Sequence, residues 1–221
     1  MKYSIPFARM ERNISPLYPV VHDITLLKRL LALGVSTVQL RVKDAKHPNL
    51  GAMIKEAVVC GKFYNAQVFI NDHWEKAVVA GAYGIHLGQA DLELADLDAI
   101  AQAGIKLGVS TRTAEELDLS LSLVPSYIAI GHIFPTATKQ MSTPSQGIHQ
   151  LKVHVNTVNG RFPTVAIGGI DLAVVPDVWR TGVEAIAVVR AITQSSDLVA
   201  TLQSFLEILT EEARNEHTSY I

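Results

Sequence analysis

The chain has 221 residues, of which 48% are hydrophobic and 18% are charged, with a formal net charge of -2. At this length roughly 70 to 75% of the unfolded chain's surface becomes buried on folding, which is enough for one large core. The balanced charge excludes a broad basic surface for nucleic acid, and the composition is that of a globular protein rather than a disordered one.

Cysteine content and apolar runs restrict where the protein works. Cys60 is the only cysteine, which excludes a disulfide framework and favours a reducing compartment. Residues 1–15 lack the continuous apolar core of a signal peptide, and no stretch approaches the ~18 apolar residues that span a membrane. We expect a cytoplasmic protein that binds neither membranes nor nucleic acid, with residues 1–15 as an N-terminal extension and residues 16–221 as one domain.

Short β-branched runs alternate along the chain with longer amphipathic stretches, which is the pattern of repeated βα units. The predicted strands are LYPVV (17–21), STVQLR (36–41), AQVFI (66–70), YGIHL (83–87), IKLGV (105–109), SYIAI (126–130), PTVAI (163–167) and EAIAVV (184–189). The predicted helices are 23–34, 49–65, 74–82, 92–104, 113–124, 148–158, 172–182 and 196–213. Glycines typical of helix C-termini end several of them, namely Gly34, Gly81, Gly104 and Gly182.

Eight βα units in one chain, with no linker between them, predict a single α/β domain of the (β/α)8 TIM-barrel class. A doubly wound open sheet is the alternative. That fold normally carries a glycine-rich dinucleotide turn after its first strand, whereas HDITLL after LYPVV contains no glycine. The unit count and the missing turn favour the closed barrel, whose active site would lie at the carboxyl ends of the strands.

Three polar residues alternate at the end of the second predicted strand: Gln39, Arg41 and Lys43. Alternating residues share one face of a strand, and this face would point into the barrel. Two buried positive charges without a partner would be costly, so an anion should meet them. The alternative is a strand end that is simply exposed to solvent.

Carboxylates follow the third and fourth predicted strands. Asp72 comes after Asn71 in IND, and Asp91 lies in HLGQAD. Each aspartate precedes a predicted helix, so helix capping is one interpretation. The other is a Mg²⁺ site, because this ion commonly takes one or two carboxylates together with substrate phosphates. Adjacent strand ends and the nearby Arg41 favour Mg²⁺ with a diphosphate.

The remaining strand ends carry residues suited to phosphate. Ser110 ends the fifth strand, and the sixth leads into GHIFPTATK, which supplies Thr136, Thr138 and Lys139. Gly168 and Gly169 follow the seventh strand, where such barrels usually bind phosphate, although a tight turn alone would also explain them. His86 and Cys60 are expected to be buried structural residues. His132 is expected to be either solvated or in contact with a ligand. The histidine spacing does not suit zinc.

Seven segments, taken in order, resemble the thiamine phosphate synthase family, most closely its enterobacterial members. They are VQLRVKD, FINDHW, GIHLGQADL, LGVST, GHIFPTATKQ, AIGGI and AVVRAI. The resemblance covers residues 16–195. It implies a magnesium-dependent transferase of thiamine biosynthesis that joins 4-amino-2-methyl-5-hydroxymethylpyrimidine diphosphate to a thiazole phosphate and releases diphosphate. Both substrates are small molecules, and formation of a homo-oligomer is left open.

The resemblance also implies residue roles. The pyrimidine diphosphate would be bound by Gln39, Arg41, Lys43, Asn71, Ser110 and Lys139. Asp72 and Asp91 would ligate Mg²⁺, and the thiazole phosphate would be bound by Thr136, Thr138, Gly168, Gly169, Val189 and Arg190. The catalytic group would be Arg41, Lys43, Ser110 and Lys139. Many relatives have a small serine where Arg190 stands, so its guanidinium either strengthens phosphate binding or points into solvent.

The implied reaction is a dissociative substitution, in which diphosphate leaves and a cation forms on the pyrimidine's methylene carbon before the thiazole nitrogen attacks. It needs fixed positive charge at the leaving group and no covalent nucleophile. Two alternative functions stay open. One is a thiazole tautomerase-like relative, and the other is a non-catalytic barrel that binds thiazole or thiamine phosphate. Neither function requires a binding site for Mg²⁺ and diphosphate.

Overall fold

The structure, a computed structural model, describes residues 6–10, 13–136 and 144–218. Eight parallel strands form a closed barrel in which each strand pairs with the next along the chain and the last pairs with the first. The strands are Leu17–Val21 (β1), Thr37–Leu40 (β2), Gln67–Asn71 (β3), Gly84–Leu87 (β4), Lys106–Thr111 (β5), Tyr127–Gly131 (β6), Thr164–Ile167 (β7) and Ala185–Val188 (β8). The predicted TIM barrel is confirmed, and the open sheet is excluded.

Helices connect the strands around the outside of the barrel. Their bounds are Ile24–Ala32 (α1), Leu50–Phe63 (α2), Trp74–Ala80 (α3), Gln89–Leu94 (α4), Leu97–Gln102 (α5), Ala114–Ser122 (α6), Gly147–Val158 (α7), Val175–Trp179 (α8), Arg190–Thr193 (α9) and Leu198–Thr218 (α10). All four glycines predicted to end helices have positive φ angles, between 64° and 90°. No helix in the described part of the chain is long and apolar enough to cross a membrane.

One predicted helix is wrong in extent. The stretch 92–104 was expected to form a single helix, but Ala95 and Asp96 are extended and separate α4 from α5. The Asp96 side chain accepts a hydrogen bond from the backbone N–H of Ala99, at 2.9 Å, and so starts the second helix. A favourable N-cap inside a periodic apolar pattern therefore begins a new helix where the pattern alone would continue the old one.

Large aromatic side chains fill the middle of the barrel. The rings of Tyr18, Phe69 and Tyr127 lie 5.1 to 6.0 Å apart between centroids, in tilted or edge-to-face contacts. Two strand glycines make room for them, because a Cβ added at Gly84 would lie 2.2 Å from the Phe69 ring and one at Gly108 would lie 2.1 Å from the Tyr127 ring. A glycine on one strand thus leaves room for a large aromatic ring from the neighbouring strand, and the rings fill the barrel interior.

The amino end of the barrel is covered by the chain that precedes β1. Phe7 and Ile14 are buried there, and the Ser126 hydroxyl donates a hydrogen bond to the carbonyl of Ala8 at 2.6 Å. The backbone N–H of Ser15 donates to Thr37 Oγ1 inside β2. The described part of the predicted extension therefore packs against the barrel, and the division of the chain at residue 15 stays a prediction.

Candidate active site

A cavity of about 310 Å³ opens at the carboxyl ends of the strands. Its lining comes from nearly every strand end around the barrel. Among the predicted site residues it contains Gln39, Arg41, Asn71, Asp72, Asp91, Ser110, Thr136, Gly168, Gly169, Val189 and Arg190. Residues separated by up to 150 positions in sequence thus meet around one space, because parallel strands all end on the same side of a barrel.

The alternating residues after β2 do not share one environment. Gln39 is buried, and its amide donates a hydrogen bond to the Tyr18 hydroxyl at 3.2 Å. Arg41 is half-buried and lines the cavity, whereas Lys43 is exposed and lies outside the lining. The strand ends at Leu40, so the alternation that would have carried Lys43 inward stops before it. A role for Lys43 stays a prediction.

The two aspartates line the same cavity, and neither caps a helix. The residue before α3 is His73 and the residue before α4 is Gly88, and neither helix has a side-chain cap. Burial raises the pKa of Asp72 above its usual value, and the nearby Asp91 carboxylate raises it further. Repulsion and poor solvation thus disfavour the charge of Asp72, and a bound cation would stabilise that charge.

This pair fits a hard divalent cation better than a zinc ion. The described residues contain no cluster of three or more His, Cys, Asp or Glu side chains that could enclose a metal. Magnesium usually takes one or two protein carboxylates and completes its shell with water and substrate phosphate oxygens. Asp72 and Asp91 are suited to that arrangement because the open cavity beside them also contains Arg41, a partner for a phosphate group.

Ser110 lines the cavity, and its hydroxyl is hydrogen-bonded to the buried His86 ring. His86 Nε2 is 2.7 Å from Ser110 Oγ, and His86 Nδ1 is 2.7 Å from the Tyr127 hydroxyl. Burial, with a further contribution from the Arg41 charge, lowers the pKa of His86 to about 3. The expectation that His86 is a buried residue with both ring nitrogens paired is confirmed. Cys60, by contrast, is only partly buried.

The loop after β6 packs directly on the double glycine after β7. Gly168 and Gly169 have φ angles of 105° and 71°, and a Cβ added at Gly168 would lie 2.4 Å from the Cβ of His132. The backbone N–H of Phe134 donates to the Gly168 carbonyl at 2.9 Å. These glycines are therefore required by their backbone conformation and by the neighbouring loop, besides any ligand. Thr136 lines the cavity, and the predicted Thr138 and Lys139 lie outside the described residues.

Several lining side chains were not among the predicted site residues, including Gln89, Arg112 and His132. Gln89 donates to the Ser110 carbonyl at 2.6 Å, and Arg112 forms an ion pair with Glu116 at 2.8 Å. His132, expected to be either solvated or in contact with a ligand, is buried against the cavity, and its Nδ1 has no partner among the described residues. Position in HLGQAD and GVSTR was the available signal for the first two.

Comparison with known proteins agrees with this geometry. A family model described as thiamine monophosphate synthase matches residues 17–192. The chain belongs to the thiamine monophosphate synthase family. Thiamine-phosphate synthase of Pectobacterium atrosepticum is 50% identical over 210 residues, which are 94% of this chain and 98% of that protein. Thiamine-phosphate synthase of Escherichia coli K12 is 51% identical over 194 residues, 88% of this chain and 92% of that protein.

A solved structure supports the same family. Thiamine phosphate pyrophosphorylase from Pyrococcus furiosus superposes with a TM-score of 0.77 at 25% identity, over 90% of this chain and 98% of the other. This member of the thiamine monophosphate synthase family is thus a transferase of thiamine biosynthesis that moves the pyrimidine group onto thiazole phosphate. The predicted function is confirmed, and the tautomerase-like and non-catalytic alternatives are set aside.

Proposed function

We propose that the two ends of the cavity divide the substrates between them. Arg41, Asn71, Asp72, Asp91 and Ser110 would bind the pyrimidine diphosphate together with Mg²⁺. Thr136, Gly168, Gly169, Val189 and Arg190 would bind the thiazole phosphate, with Gln39, Lys43, Thr138 and Lys139 also assigned as the sequence resemblance implies. The observation that supports this proposal is that one cavity is lined both by Arg41 and the paired carboxylates and by the threonine and the two glycines.

The magnesium assignment is supported by the chemistry of the aspartate pair. Asp72 and Asp91 would ligate the ion, and diphosphate oxygens and water would complete its coordination. When bound, Mg²⁺ supplies positive charge that stabilises a departing diphosphate. The raised pKa of Asp72 supports this assignment, since the carboxylate sits where its charge is poorly accommodated by the protein alone.

The protein's own groups would favour departure of the diphosphate over its retention. Arg41 offers a fixed positive charge that meets the negative charge growing on the leaving oxygen, and Asn71 and Ser110 offer neutral polar groups beside it. No covalent nucleophile is needed, because the cation left behind is delocalised into the aminopyrimidine ring. The remaining task is to hold the thiazole nitrogen close to the methylene carbon, which a shared cavity achieves by proximity.

The test is a product assay with purified protein, the pyrimidine diphosphate and the thiazole phosphate, with and without Mg²⁺. We expect diphosphate and thiamine phosphate to form in equal amounts and only with the metal. Product formation that is unaffected by thorough chelation would contradict the magnesium assignment. A cytoplasmic location, consistent with a single unpaired cysteine, stays a prediction.

A further inference from the structure

A continuous chain of hydrogen bonds connects Gln39 to Ser110 through buried groups in the barrel. Gln39 Nε2 donates to the Tyr18 hydroxyl at 3.2 Å, and the hydroxyls of Tyr18 and Tyr127 are 3.0 Å apart. Tyr127 is bonded to His86 Nδ1 and His86 Nε2 to Ser110 Oγ, both at 2.7 Å. Gln39, Tyr18, Tyr127 and His86 are all buried, and Gln39, His86 and Ser110 line the cavity, so the bonds among the first four are shielded from bulk solvent.

The protons of this chain can be counted from Gln39. The Gln39 amide can only donate at its nitrogen, so the Tyr18 hydroxyl accepts there and gives its own proton to Tyr127. Tyr127 has then accepted one bond and donates to His86 Nδ1. A hydroxyl oxygen can also accept two bonds, but the reverse direction would leave the buried Tyr18 proton without an acceptor among the described residues. The direction set by the amide is therefore the one that pairs every donor of the chain.

The imidazole of His86 is neutral in this setting. It is 6% exposed, its ring nitrogens are bonded only to neutral hydroxyl groups, and Arg41 places a positive charge near it. A second buried positive charge without a carboxylate partner would be costly. A neutral imidazole that accepts at Nδ1 has its proton on Nε2, so His86 donates to Ser110 Oγ.

We infer that His86, Tyr127 and Tyr18 are positioning residues that make the Ser110 hydroxyl a hydrogen-bond donor to the bound substrate. Ser110 Oγ has no other partner in residues 6–10, 13–136 and 144–218, so its own proton is directed into the cavity. There it meets an acceptor atom of the pyrimidine diphosphate. This role rests on the proposed binding of that substrate beside Ser110.

The opposite direction would give Ser110 a different chemistry. If His86 had its proton on Nδ1, Ser110 would donate inward and would present only lone pairs to a ligand rich in phosphate oxygens. Such a site would repel the substrate where it should bind it. The orientation imposed by Gln39 therefore matters to the reaction, although Tyr18 and Tyr127 are remote from the reacting atoms.

Nitrogen NMR of the ligand-free protein tests the tautomer directly. We expect the His86 ring to show its proton on Nε2, and a proton on Nδ1 would overturn the inference. Because no substrate is present, this result is independent of the proposed function. If the tautomer is Nε2–H but the wild-type protein makes no thiamine phosphate, the proposed substrate role fails while the direction of the chain stands.

Matched variants test the consequence for catalysis. Tyr127→Phe removes the donor to His86 Nδ1 and should lower kcat about 10-fold or more, in the range seen for residues that orient a ligand-binding group. Tyr83→Phe is the control, since its hydroxyl accepts from Gln67 at the other end of the barrel and should leave kcat unchanged. Equal activity of the two variants would contradict the inference.

A second pair keeps the test valid if Tyr127→Phe does not fold. His86→Gln places an amide N–H near the former Nε2 and should retain donation to Ser110, whereas the shorter His86→Asn reaches only the position of Nδ1. We expect kcat of the Gln variant to exceed that of the Asn variant about 10-fold. If His86 only filled space, the loss of kcat would depend on the volume of the replacing side chain and not on its N–H. An Asn variant at least as active as the Gln variant would reject the inference.

Discussion

Both ends of the barrel interior contain polar side chains, but they are arranged in opposite ways. At the amino end, Thr37 donates to Gln67 at 2.6 Å, Gln67 donates to Tyr83 at 3.2 Å, and the Lys106 ammonium lies 4.5 Å from the centre of the Tyr83 ring. At the carboxyl end, Asp72 lies in an open cavity beside another carboxylate, which disfavours its charge.

The comparison separates structural polar groups from functional ones. Thr37, Gln67 and Lys106 are buried, and the hydrogen bonds of Thr37 and Gln67 are made within this cluster or to the covering segment, so they contribute to stability. At the carboxyl end, burial and the nearby Asp91 carboxylate disfavour the charge of Asp72, so a bound cation would stabilise it. A buried polar cluster inside such a barrel is therefore not by itself a sign of the active site, as Thr37, Gln67 and Lys106 show.

The sharpest test of the carboxyl end is Asp72→Asn. It removes a proposed Mg²⁺ ligand and should lower kcat/KM for thiamine phosphate formation by roughly 10³-fold. The metal-free protein should be at least as stable as wild type at pH 7, because burial and Asp91 already disfavour the Asp72 charge. Asparagine also tolerates the φ of 63° found at this position.

Activity and urea unfolding would be measured on the same preparations of the Asp72 variant. Asp118→Asn, an exposed carboxylate on α6, is the control and should change neither quantity. A large loss of stability in Asp72→Asn would indicate that the carboxylate has a structural role and would weaken the contrast between the two ends.

Arg41→Met should have the next largest effect. The variant keeps an apolar stem of similar length but removes the charge that faces the proposed diphosphate, so we expect kcat/KM to fall by roughly 10²-fold. Steady-state kinetics with varied pyrimidine diphosphate would measure it. Arg29→Met, on the exposed face of α1, should behave as wild type. Wild-type kinetics in Arg41→Met would remove this residue from the site.

Thr37→Val probes the amino end. It removes the hydrogen bonds that Thr37 donates to Gln67 and accepts from the Ser15 N–H, and should lower the free energy of unfolding by about 1 to 3 kcal/mol. Activity of the folded fraction should be unchanged. Thr157→Val, whose hydroxyl is on the exposed face of α7, should cost less than about 0.5 kcal/mol. A selective loss of kcat in Thr37→Val would connect the two ends functionally.

The smallest effect is a pH dependence of stability. The pKa of His86 is lowered from 6.5 to about 3 in the folded protein, so below pH 6.5 the unfolded state binds a proton that the folded state does not. Stability is therefore lost as the pH falls, by roughly 1.4 kcal/mol between about pH 7.5 and pH 5.5. His154, whose pKa burial also lowers, contributes in the same direction.

Unfolding by urea across this pH range would measure the dependence. His86→Gln should have a shallower slope of unfolding free energy against pH than wild type, by about one bound proton per molecule near pH 5.5. An unchanged slope would mean that His86 titrates normally in the folded state and would contradict its lowered pKa.

The sequence determined the eight-stranded barrel, the positions of every strand to within a residue or two, and the grouping of polar residues at the strand ends. Strand and helix periodicity are local properties of the chain, and parallel strands that close a barrel must end on one side. The placement of Arg41, Asp72, Asp91 and Ser110 around one cavity follows from that rule and from strand order alone.

Only the tertiary structure decided which polar groups are satisfied and which are not. Whether Asp91 caps a helix depends on where α4 begins, and the partners of His86 depend on the inward packing of Tyr127 from a strand 41 residues away. Likewise, the exposure of Lys43 depends on a strand that ends three residues earlier. These outcomes depend on distances between segments that are remote in sequence, and no local pattern of residue types encodes such distances.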